Sequence, residues 1–123
     1  DFAYYHALKF ENIYWDVFMR EIKISQQAFA LLVRCKNENI KICAISDMQS
    51  NIQILKLEKM NIIEYINFLV TSEEVGSEKP ARKIFSKALE KLKLHPQDVI
   101  MIGDDYVKDI KGAVDYGIKA FLV

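Results

Sequence analysis

The sequence predicts an α/β fold: a parallel sheet flanked by helices, preceded by a shorter helical segment. Two observations carry this reading. From residue 40 onward, short apolar runs alternate with stretches of helical periodicity, the order in which parallel strands and helical crossovers follow one another. Polar residues then fall directly behind the strands, at the carboxyl ends where open parallel sheets collect ligands. A length of 123 residues with 51% hydrophobic content suits one globular unit with a core of its own.

Taken in order, residues 1–22 carry Phe2, Tyr5, Leu8, Ile13 and Val17 at mixed three- and four-residue steps, which predicts one or two helices. Ser25 is placed to cap a second helix, "QQAFALLVRCKNE", closed by Asn37 and Asn39. "IKICAIS", residues 40–46, is short and partly β-branched and predicts a buried strand. "QSNIQILKLEKM" divides into apolar and polar faces as a helix, and "NFLVT", 67–71, returns to strand. Pro80 is expected in the first turn of the helix "ARKIFSKALEKL", whose buried stripe is Ile84, Phe85, Ala88, Leu89 and Leu92. "DVIMIG", 98–103, is a third strand, "VKDIKGAVDYG" a helix closed by Gly117, and "IKAFLV" a fourth strand. The boundary falls near residues 23–25, giving a helical segment over 1–24 and an α/β part over 25–123.

Lysine plus arginine and aspartate plus glutamate each total 17, so no net field draws the chain to nucleic acid or anionic lipid, and neither is expected as a partner. No apolar run approaches the roughly 18 residues of a membrane span. Cys35 and Cys43 lie in apolar surroundings without metal-type spacing, as buried free thiols in a reducing, cytoplasmic setting would. His6 and His95 have no metal-spaced companion. Because Asp1 opens the chain and "IKAFLV" ends inside a strand, a fragment of a longer protein is expected.

Three loops hold the residues suited to chemistry. Ser46 and Asp47 follow the first strand, Lys79 lies in the loop after the second, and Asp104, Asp105 and Asp109 follow the third. The Ser46 hydroxyl and the N–H groups of Asp47 and Met48, at a helix start, suit a phosphate. Taken alone, Ser46 is a cap and Lys79 a solvated lysine. The aspartate cluster is less ordinary, since like charges about 4 Å apart cost about 1–4 kcal/mol per pair in surface-like dielectrics. A magnesium ion, which takes one or two carboxylates and keeps several waters, would offset that repulsion. Asp104 is the expected ligand and Asp105 the expected helix cap.

"AISD", "SEEVGSEKPARKIF" and "MIGDDYVKDIKGAVDYGI" resemble the second, third and fourth motifs of the haloacid dehalogenase-like hydrolases, in order and at suitable separations. The resemblance implies a Rossmann-like core over 25–123 and makes residues 1–24 similar to the end of the family's helical cap. Carried over, Ser46 would hold the transferring phosphoryl group, Lys79 would neutralise it, Asp104 would bind Mg2+, and Asp109 would orient Lys79 or metal-bound water. Asp47, where many relatives have Asn, would offer its backbone N–H. The substrate implied is a small phosphorylated metabolite, hydrolysed through a phosphoaspartate.

The family's first motif, DxDx[TV], which supplies the nucleophile and the general acid/base, does not occur in residues 1–123. In related folds its strand lies between those ending at Ser46 and Gly103. The expectation is therefore a gap between two strands, no turnover by this chain alone, and an oligomer or second chain as the source of the missing strand. A metal-independent dehalogenase and a non-catalytic phosphate- or partner-binding fragment are the competing readings. A receiver-type signalling domain has its acidic pair early and its lysine late, the reverse of the order here.

Overall fold

The computed structural model describes residues 2–123. Its first element, α1 (Ala3–Glu21), is one continuous helix with Tyr4, Tyr5, Leu8, Phe10, Ile13 and Tyr14 exposed and Trp15 half-buried. It docks through Phe18, whose ring centroid lies 5.7 Å from the Lys56 ammonium of α3 (Ser50–Lys59). The predicted cap of α2 (Gln26–Asn37) is present: Ser25 Oγ accepts from the Ala28 N–H at 3.1 Å. Asn39 closes this end with a φ of 58°, a conformation asparagine tolerates better than most residues.

Four short strands follow, β1 (Cys43–Ser46), β2 (Phe68–Thr71), β3 (Ile100–Gly103) and β4 (Lys119–Leu122). They form two separate parallel pairs, β1 with β2 and β3 with β4, and not one continuous sheet. Ile45 pairs with Val70 and Ile102 with Phe121. Among the described residues β1 and β3 share no ladder.

One core joins the two pairs. α5 (Arg82–Leu92) buries Ile84, Phe85, Ala88 and Leu89 on a single face, as the sequence predicted, and Leu92 is half-buried at its end. With Val70, Ala113 and Ile118 these residues form the core, against which Cys43, Ile45, Val99, Met101 and Ala120 also pack. The core therefore draws on both strand pairs. On the other face of β3 and β4, Ile100, Ile102 and Phe121 stay exposed. The period-2 alternation of strands thus gives this second pair one buried and one bare face.

Two local expectations need correction. Pro80 lies outside α5, whose N-cap is Ala81: the Ala81 N–H donates to the Glu78 carbonyl at 2.9 Å, closing a turn around a cis Lys79–Pro80 peptide before the helix begins. The "TSEEVGSEKP" loop itself contains a one-turn helix, α4 (Ser72–Val75), capped by Thr71 Oγ1 and ended by Gly76 at φ 79°. After β3 the chain enters a π-helical stretch, Tyr106–Lys111, that runs into α6 (Gly112–Tyr116) and stops at Gly117. Both cysteines are free and half-buried. No helix among the described residues is long and apolar enough to cross a membrane.

Candidate active site

The carboxyl ends of β1 and β3 and the Lys79 loop meet along one rim, and a short set of polar contacts ties them together. Asp109 is at the centre. It sits one turn after Asp105, on the face that the π-helical turn directs back toward β3, and it is 3% exposed. Its Oδ1 accepts from Lys79 Nζ at 2.6 Å; its Oδ2 accepts from the N–H groups of Asp104 and Asp105, both at 3.1 Å. Gly103 permits this approach, because a Cβ there would overlap the Asp109 carboxylate. Burial pushes the Asp109 carboxyl up, but the Lys79 hydrogen bond and charge and the two backbone N–H groups outweigh it. The net effect is a carboxyl held below its ordinary 3.8.

The three aspartates that looked mutually repulsive in the sequence have separate company. Asp105 caps the following turn as expected, accepting from the Lys108 N–H at 2.9 Å. Asp109 is consumed by Lys79 and backbone. Among the described residues the Asp104 carboxylate has no hydrogen-bond or ion-pair partner, and it is exposed. It is the carboxylate of the cluster free to hold a cation. No group of three or more acidic, histidine or cysteine side chains converges among the described residues, so Asp104 would supply Mg2+ with only part of a coordination shell. That fits an ion which keeps most of its waters and completes its shell with a phosphate oxygen.

The structure brings Lys79, Asp47, Asp104, Asp105 and Asp109 into one connected network. Asp47 joins it by its side chain as well as by position: Oδ1 accepts from the Lys79 backbone N–H at 2.9 Å, and Oδ2 lies 3.3 Å from Lys108 Nζ. Ser46, at the end of β1, is adjacent but bonded elsewhere. Its hydroxyl donates to Gln53 Oε1 and accepts from the Met48 N–H, each at 3.2 Å. The helix-start reading of Ser46, Asp47 and Met48 needs correction, since α3 begins at Ser50 with Gln49 as its N-cap and the Ser46 hydroxyl closes a local turn before it. Gln53 and Lys108 were missed in the sequence. Gln53 was legible as a first-turn residue of α3 on the side of β1. Lys108 stands three positions after a cap, where its backbone N–H faces the Asp105 carboxylate.

The haloacid dehalogenase-like hydrolase family profile matches residues 6–123. The chain belongs to this family. It is 31% identical over 116 residues to a ribulose-1,5-bisphosphate 5-phosphatase from Halopiger xanaduensis, covering 94% of this chain and 48% of that protein. It is 35% identical to a glyceraldehyde 3-phosphate phosphatase from Methanothermobacter thermautotrophicus, covering 75% and 41%. The crystal structure of a phosphatase of this superfamily from Thermococcus onnurineus superposes with a TM-score of 0.78 at 25% identity, over 81% of this chain and 46% of that one. The chain spans about half the length of the curated relatives it matches. The α/β reading with parallel strands holds for this haloacid dehalogenase-like hydrolase chain, and the relatives it resembles include phosphatases.

Proposed function

We propose that these residues are the phosphate- and magnesium-binding part of a phosphatase acting on a small phosphate monoester. The Lys79–Asp109 contact carries the reading: a buried carboxylate fixes an ammonium on the rim while the neighbouring Asp104 carboxylate is left free. In this reading the Ser46 hydroxyl turns from Gln53 to a phosphoryl oxygen, joined by the N–H of Asp47. Lys79 balances the negative charge that develops there, and Asp109 orients Lys79. Mg2+ held by Asp104 would supply charge neutralisation at the phosphoryl oxygens. The nucleophilic carboxylate, which would carry the phosphoaspartate, and its acid/base partner come from a DxDx[TV] segment that residues 1–123 lack. The unpaired edges of β1 and β3 are where such a strand would add, from the same protein or from a second chain.

The test is hydrolysis of a generic phosphate ester by the 123-residue chain with and without magnesium. We expect no turnover, and phosphate binding that magnesium strengthens and Asp104→Asn weakens. Magnesium-dependent turnover that vanishes with Asp104→Asn would overturn the account of the absent nucleophile. Binding indifferent to magnesium would favour the dehalogenase reading.

A further inference from the structure

A carboxylate beside a phosphate site calls for an explanation. Asp47 directly follows Ser46, and its charge would repel an anion bound there by an amount that grows as water is excluded. The structure gives this carboxylate two contacts, one to the Lys79 loop and one to the π-helical stretch after β3. Its Oδ1 accepts from the backbone N–H of Lys79, anchoring the loop that carries the catalytic ammonium. Its Oδ2 faces Lys108 Nζ at 3.3 Å. The Asp47 side chain is 18% exposed and that of Lys108 45%, so the pair lies at the mouth of the site.

We infer that Asp47 and Lys108 are a matched pair: Asp47 is a positioning residue for Lys79, and Lys108 cancels the charge that would otherwise oppose phosphate binding. The inference rests on the phosphate reading above. An uncharged residue at 47 could accept from the Lys79 N–H but would leave Lys108 without its partner. An uncharged residue at 108 would leave a bare carboxylate facing the anion. The surroundings of Lys108 agree. Its ammonium is raised above its ordinary value, first by the hydrogen bond to Asp47 and then by the Asp47 charge, with smaller contributions from Glu78 and Asp105 against a small opposing effect of burial. Its backbone is held independently, by the Asp105 cap.

The competing role for Lys108 is direct contact with the substrate anion, and the two roles separate in a double-substitution cycle. The probe is inorganic phosphate, titrated with magnesium into the 15N-labelled chain while the amide resonances of Asp47, Met48 and Lys79 are followed. Lys108→Gln should weaken phosphate binding about three- to tenfold. In an Asp47→Asn background the same substitution should cost less than about twofold, because the charge it unmasks is gone. Lys111→Gln, which breaks an exposed pair with Asp115 further along the same helical stretch, is the control and should leave binding unchanged. Asp47→Ala, lacking the acceptor, should move the Lys79 amide resonance more than Asp47→Asn does. An undiminished Lys108→Gln loss in the Asp47→Asn background would show Lys108 touching the anion and would overturn the pairing, as would a Lys108→Gln protein that binds normally. Failure of the unsubstituted chain to bind phosphate would overturn the phosphate reading itself, and the pairing with it.

Discussion

Asp109→Asn is the substitution that most directly probes the rim. The native carboxylate accepts three hydrogen bonds, from Lys79 Nζ and the N–H groups of Asp104 and Asp105, and its side chain is 4% exposed. An amide of the same shape has one oxygen. If that oxygen turns to the backbone pair, an NH2 faces the ammonium; if it turns to Lys79, the NH2 faces two N–H donors. Either way at least one buried donor loses its acceptor, at about 1–3 kcal/mol, and the Lys79 charge loses its counter-ion. Breaking a buried pair by removing one partner costs about 3–5 kcal/mol, and the Lys79 side chain, 13% exposed, places this case toward the lower end. We expect a loss of about 3 kcal/mol, read by urea unfolding as a midpoint shift of about 2 M at constant slope. Acid supplies a second mark. Because the folded carboxyl is held below its ordinary 3.8, its contribution is present above the unfolded pKa and disappears as pH falls through the lower folded value. The difference between native and Asp109→Asn proteins should therefore shrink below about pH 4. A substitution within about 0.5 kcal/mol of the native protein at pH 7 would refute the claim that Asp109 holds this rim together.

Gly103→Ala places a methyl group where the Asp109 carboxylate lies, and should cost about 1–3 kcal/mol by urea unfolding while also shifting the Asp104 and Asp105 amide resonances; normal resonances would contradict the contact. Cys43, whose thiol is pushed up to about 11 mainly by burial against the opposing influence of Lys91, should be alkylated at pH 8 more than about a hundredfold more slowly in the folded chain than in urea, and equal rates would show the thiol to be open to water.

Much of the fold was legible because its signals are local. Ser25 caps α2, the Ile84 to Leu89 stripe buries α5, and Gly117 closes α6 with a φ of 95°, each a consequence of side-chain or backbone chemistry within one turn. The placement of Lys79 and Asp109 on one rim followed from the rule that loops behind parallel strands converge. What the sequence concealed depends on contacts between loops. Asp47 and Lys79 are 32 positions apart and Lys79 and Asp109 are 30, and nothing in either residue's neighbours fixes a distance of 2.9 or 2.6 Å. Pro80 was misplaced for a similar reason: its preference for a helix's first turn is shared by turns that precede a helix, and the Glu78 to Ala81 hydrogen bond decided between them. Lys108 was missed because its significance lies in Asp47, on a distant segment of the chain.

The division of the strands into two pairs gives these rim contacts a second consequence. Two-stranded units have little stability alone, and here the pairs are joined from beneath by the α5 core. At the top, the Asp47–Lys108 pair and the Lys79 loop connect the end of β1 to the residues behind β3 across the gap. The groups proposed to hold phosphate are thus also the polar ties between two halves that share no backbone ladder. A strand added between β1 and β3 would satisfy backbone groups on both edges and remove part of that burden from the side chains. Lys79 and Asp109 would then be held from two directions, and the rim would be stiffer where the proposed phosphate site lies.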